Sequence, residues 1–281
     1  MEQSDSTLST FTAADGDNLA IQEWPLPEGL ALRGVVVLVH GLGEHAGRYE
    51  RFARRLNEWG FAVRGYDQYG HGESGGVRGA LPSPTRLVDD LADVVESLRA
   101  RVDRTVPLVL FGHSMGGLVA ACLVGRGLAQ VDALVLSSPA LDPGLGRWQQ
   151  FLLGTFERIV PALSLRNGLD PDLLSHDPEV VAAYRADPQV HDRISPRLAR
   201  FIIDAGTEVM ARAPHWQVPT LLMYAGADKL VDPEGSRAFA KAAPAQVVTA
   251  CCFEDLFHEI LNEVEAEPVY DLVRQWLLAR F

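Results

Sequence analysis

At 281 residues, 47% of them hydrophobic, the chain can bury one large core, and its composition excludes disorder. A formal charge of -12, with Arg51, Arg54 and Arg55 as the one basic cluster, excludes nucleic acid as an expected partner. Cys122, Cys251 and Cys252 are odd in number, two are adjacent, and all lie in apolar surroundings, which speaks against a structural disulfide and for a reducing compartment.

The first ten residues, M-E-Q-S-D-S-T-L-S-T, lack the basic start and apolar stretch of a signal peptide, and no apolar run reaches the ~20 residues that span a bilayer. A cytoplasmic protein is expected. Leu19 to Trp24 alternates like an edge strand, ended by Pro25, Pro27 and Gly29. Gly34 to His40, G-V-V-V-L-V-H, is the first run that must be buried on both faces. After it, H-G-L-G-E-H is too rich in glycine for regular structure, and Arg48 to Trp59 then places Tyr49, Phe52, Leu56 and Trp59 at helical spacing.

Phe61 to Tyr66 reads as a strand, Asp67 to Gly76 as a turn-rich loop, and Leu87 to Val102 as a helix with Leu87, Leu91 and Leu98 on one side. Val106 to Phe111 is the central strand, with a helix from Met115 to Gly127 directly behind it. Asp132 to Ser138, Val218 to Ala225 and Gln246 to Phe253 continue the strands, Asp232-Pro233 has the pattern of a helix cap, and Glu263 to Phe281 closes the chain as a helix. This alternation predicts an α/β fold, a mainly parallel sheet with helices on both faces.

One region breaks the rhythm. No strand-like run occurs between Ala140 and Trp216, whereas Leu145, Trp148, Leu152, Phe156, Ile159 and Leu163 fall on one side of a helix. The expectation is a helical cap over 140–215 inserted in a core made of 1–139 and 216–281. Leu145, Trp148, Leu152 and Phe156 are the candidate substrate contacts, although most such stripes simply pack on the main domain.

Chemistry is concentrated at Gly112-His113-Ser114-Met115-Gly116, a G-x-S-x-G run between a buried strand and a helix. Its glycines suit a turn too tight for side chains, which would hold the Ser114 hydroxyl clear of the sheet. A serine hydroxyl is a weak nucleophile until a base takes its proton, and that base needs an orienting acid. Asp228 lies within three residues of the strand ending at Ala225, and His258 within five of the strand ending at Phe253. Both are thereby placed at the carboxyl edge of the sheet, beside Ser114. His113 is expected to point away from the serine, His40, His45 and His71 to fix loops, and His176, His191 and His215 to lie on the cap surface. Asp232, Glu254 and Asp255 compete with Asp228, the first as a helix cap and the others as too close to His258 in sequence. An oxyanion would be held by the backbone N–H groups of Met115 and, from the loop His40-Gly41-Leu42-Gly43, of Leu42.

In this order and spacing, H-G-L-G-E-H-A-G-R-Y, Y-D-Q-Y-G-H-G-E-S, G-H-S-M-G-G, G-A-D-K-L-V-D and H-E-I-L-N-E resemble the monoacylglycerol lipase and lysophospholipase branch of the α/β-hydrolases. The resemblance runs over nearly the whole chain and is weakest across the cap. It implies an eight-stranded sheet, a triad of Ser114, Asp228 and His258, oxyanion donors at Leu42 and Met115, no cofactor or metal, and hydrolysis of glycerol monoesters of fatty acids. It also implies an apolar lid that rests on membranes.

Two other readings compete. A peptidase of the prolyl aminopeptidase kind would need an acid near the cap for the free amine, and Asp170, Asp172, Asp177, Glu179 and Glu208 are available. A non-catalytic ligand receptor on the same scaffold would bind without turnover. For the ester hydrolase, activity should fall below roughly pH 6.5, where an unperturbed His258 gains a proton.

Overall fold

A computed structural model describes residues 6–142 and 156–281. Strands β1 (Thr7–Thr12) and β2 (Asn18–Trp24) form a hairpin at one edge, and β3 (Gly34–Val39), α1 (Glu50–Glu58) and β4 (Phe61–Tyr66) make the first parallel unit. Helix α2 (Arg86–Arg99) leads to β5 (Leu108–His113), which passes without a break into α3 (Ser114–Arg126) and on to β6 (Ala133–Ser137). The next described elements are a two-residue strand β7 (Leu165–Arg166), α4 (Pro178–Ala186), β8 (Arg193–Ile194) and α5 (Pro196–Arg212). Strand β9 (Thr220–Ala225), α6 (Pro233–Ala242), β10 (Val248–Phe253) and α7 (Glu267–Leu278) complete the order.

The large sheet has eight strands in the order β1-β2-β4-β3-β5-β6-β9-β10. Strand β2 runs antiparallel to both its neighbours, and every pairing from β4 to β10 is parallel. Every residue of β3, β5, β6 and β9 is buried, because helices cover both faces, which is why these segments read as unbroken apolar runs. Alternate side chains divide between two cores. Val35, Val37 and Val39 pack with α2, α3 and α5, whereas Val36 and Leu38 pack with α1 and α7.

Three differences from the expected organisation have physical causes. Strand β1 is largely polar and mostly exposed, held by its ladder to β2 and by Phe11 against the core, so it carries no burial pattern to read. The stretch thought free of strands contains β7 and β8, two residues each and antiparallel, too short for any periodicity. Helix α5, expected within the 140–215 cap, packs along α3 and sends Leu198, Phe201, Ala205 and Val209 into the main core. It is the crossover helix that a β6-to-β9 parallel connection demands, so the expected limit at 215 is too far along the chain. Among the described residues no helix is long and apolar enough to cross a membrane.

Candidate active site

The carboxyl ends of β3, β5, β9 and β10 open on one cavity of about 660 Å³, whose lining includes Gly41, Leu42, Ser114, Met115, Leu230 and His258. Ser114, first residue of α3, has a φ of 53°, one of two positive values among the described non-glycine residues. A side chain is held in that region only when its surroundings over-determine it. Here they do. A Cβ on Gly116 would meet the carbonyl oxygens of Val39 and His40, and one on Gly112 would lie 2.6 Å from the Gly116 oxygen. The turn therefore closes against β3 only with glycine on either side of Ser114.

Asp228 and His258 meet below the cavity, both buried, with His258 Nδ1 2.6 Å from Asp228 Oδ2. The other carboxylate oxygen accepts the N–H groups of Leu230 (2.8 Å) and Val231 (3.0 Å), so the acid is fixed in position. Burial would raise the Asp228 pKa, but the imidazole beside it, its hydrogen bond and the two amides hold it below the usual carboxylate range. Burial would lower that of His258, yet the Asp228 charge and hydrogen bond, then Glu259 and Glu44, raise it above the ordinary imidazole value. With Nδ1 given to Asp228, Nε2 is left for the cavity.

Leu42 and Met115 border the same space. The Leu42 N–H has no acceptor among the described residues, and that of Met115 lies in the first turn of α3, where no intrahelical acceptor exists. Asp232 caps α6, its side chain accepting from the Glu234 N–H at 2.9 Å. His40 donates from Nδ1 to the Gly41 oxygen and accepts the Gln68 N–H, which fixes its tautomer and ties two loops together.

His191 does not lie on the surface where the sequence reading put it, and His113 has partners the sequence did not name. The His113 ring turns to Ser137 Oγ (3.1 Å), packs 4.7 Å from the His258 ring and lines the cavity. Burial, then His258, holds its pKa down to about 4, so it stays neutral beside the His258 ring. His191 is half-buried, and binds the Gly70 oxygen through Nε2 and the Gly43 oxygen through its N–H. Neither position follows from local sequence, since His113 is placed by Ser137 and His258, and His191 by the loops at Gly43 and Gly70.

Of the candidate substrate contacts, Leu145, Trp148 and Leu152 lie outside the described residues. Phe156 is 55% exposed and is not among the described residues that line the cavity. Its cap-side wall is formed instead by Leu174, Tyr184, Val190 and Ile194, together with Ile202 of α5 and Val231. The two described cavity arginines are both paired, Arg48 with Glu44 and Glu259, and Arg185 with Asp172.

Sheet order, crossover pattern and the strained turn define an α/β-hydrolase, a scaffold of serine hydrolases. A family model described as serine aminopeptidase, S33, matches residues 31–265. A monoacylglycerol lipase of Mycolicibacterium smegmatis is 36% identical over 88% of this chain and 89% of its own. The crystal structure of the Paleococcus ferrophilus monoacylglycerol lipase superposes with a TM-score of 0.83 at 36% identity, covering 93% of this chain and 98% of that one. The human monoglyceride lipase is 28% identical over 97% of this chain and 91% of its own. The chain belongs to this α/β-hydrolase family, that of the monoacylglycerol lipases.

Proposed function

We propose that the protein hydrolyses carboxylic esters of single-chain lipids, monoacylglycerol foremost, to glycerol and fatty acid through an acyl-enzyme on Ser114. His258 Nε2 takes the Ser114 proton as Oγ attacks the ester carbonyl, and the tetrahedral oxyanion falls to the N–H groups of Leu42 and Met115, each worth on the order of 3 kcal/mol. The imidazolium passes its proton to the glycerol oxygen as the carbon–oxygen bond breaks. Water, deprotonated by the same ring, then releases the fatty acid. Asp228 keeps the ring in one tautomer and steadies its charge.

The observation that carries this reading is the buried Asp228–His258 pair beneath a cavity shared with Ser114. The substrate class is supported by the apolar wall toward the cap and by the family relatives. A neutral headgroup suits a pocket whose buried arginine, Arg48, is held by two carboxylates. The cap, taken as about 140–195, meets the lipid surface through Phe156, Ile159 and Leu163, all exposed. A reducing, cytoplasmic setting fits the three unpaired cysteines.

The test is a rate series on glyceryl and nitrophenyl esters of rising acyl length, with Ser114→Ala as control. A maximum at medium or long chains supports the reading, and full activity in the alanine variant refutes it. The family model's description keeps an aminopeptidase as second reading. An amine would need a spare carboxylate, but Glu44 and Glu259 hold Arg48, Asp187 holds His45, Asp192 holds Arg166 and Arg193, and Asp170 caps a turn. Aminoacyl arylamides should accordingly be far poorer substrates than fatty esters.

A further inference from the structure

The loop carrying Leu42 follows β3 and the loop carrying His258 follows β10, and three strands, β5, β6 and β9, lie between them in the sheet. The ladder fixes the strand ends but makes no direct bond between the two loops. A side-chain bridge does. Arg48, only 10% exposed, donates from Nη1 and Nη2 to both oxygens of Glu259 at 2.6 and 2.9 Å, and from Nη1 to Glu44 Oε2 at 2.6 Å. The second oxygen of Glu44 accepts the Gly41 N–H at 2.5 Å and the Tyr49 hydroxyl at 2.7 Å, so it holds the His40–Gly41 peptide, one unit before the one that carries the Leu42 N–H. Glu259 is the residue after His258, and its own N–H donates to the Leu174 oxygen at 2.8 Å.

We propose that Arg48 is a positioning residue that, through Glu44 on one side and Glu259 on the other, fixes the oxyanion loop against the loop bearing the base. This rests on the roles given above to Leu42 and His258. A guanidinium fork can hold two carboxylates in fixed directions at once, which a single ammonium cannot. The Tyr184 ring lies 4.7 Å from the guanidinium and covers it from the cap. The bridge also carries one more negative than positive charge. The charged and titratable groups around His258 are Asp228, Glu259, Glu44, Arg48 and His113. Both glutamates favour the imidazolium, so the network tunes the base as well as placing it.

Two variants separate placement from charge. Arg48→Lys keeps every charge but loses the fork: kcat on a short nitrophenyl ester should fall by about tenfold or more, with KM within about threefold and the acid limb unmoved. Glu259→Gln removes a negative charge beside the ring, lowers the pKa of His258, and should move the acid limb of kcat/KM down by about half a unit or more. Wild-type kcat in Arg48→Lys, or an unmoved acid limb in Glu259→Gln, overturns the proposal; if Arg48→Lys shows no melting transition, Glu44→Gln, which weakens the bridge from its other end, takes its place, a fall in kcat supporting the proposal and a wild-type kcat overturning it. Stoichiometric labelling of wild-type Ser114 by a fluorophosphonate separates the two failures. Labelled, active wild type with unaffected variants sinks only the bridge, and unlabelled, inactive wild type sinks the hydrolase reading itself.

Discussion

At the scale of single residues, the Asp228–His258 contact makes the sharpest predictions. Asp228→Asn keeps the shape but lets the ring take the wrong tautomer, and kcat should fall by about 10⁴-fold with little change in melting temperature. For the unaltered protein the sign of the pH dependence follows from the raised pKa of His258. The base is lost as pH falls through a value above the ordinary ~6.5, so the acid limb of kcat/KM should have its midpoint above that value. A midpoint at or below 6 would count against His258 as base. Ser114, Asp228 and His258 were readable in the sequence because each lies a few residues beyond a strand whose end is plain. His113 and His191 were not, because the contacts that place them come from segments remote in the chain, Ser137 for one and Gly70 for the other.

At the scale of elements, the passage from β5 to α3 depends on how closely α3 approaches β3. Gly116→Ala would drive a methyl group into the Val39 and His40 carbonyls, which are backbone and held by the sheet. A loss of about 1–3 kcal/mol or more, read from urea melts, is expected, with activity lost along with it. Buried strands such as β3 and β5 were legible because full burial leaves unbroken apolar runs, and the cap on α6 because Asp232-Pro233 is a local signal. The role of α5 was hidden. Its apolar residues suit a cap or a core equally well, and only the demand for a crossover between β6 and β9 decides between them.

At the scale of the molecule, the described stretch ahead of α5, proposed above as part of the cap, is tied to the core loops by backbone hydrogen bonds such as that from the His191 N–H to the Gly43 oxygen. Gly79, with a φ of +68°, accepts the Ser195 N–H, and a Cβ there would meet the backbone of Arg193. Gly79→Val should push the cap from its seat, so that rates on long-chain esters fall by about tenfold or more while short esters and the main melting transition are less affected. Equal losses on both would mean that the cap does not select the substrate. The two strands that flank this region, β6 and β9, are hydrogen-bonded neighbours, with Leu134 opposite Thr220 and Leu136 opposite Leu222. Because the two run parallel, the chain leaves β6 at the carboxyl edge of the sheet and comes back to β9 at the amino edge, with α5 as its return. The stretch ahead of α5 can therefore be remodelled, and the diet of the enzyme with it, while the return helix and the machinery that breaks the bond stay as they are.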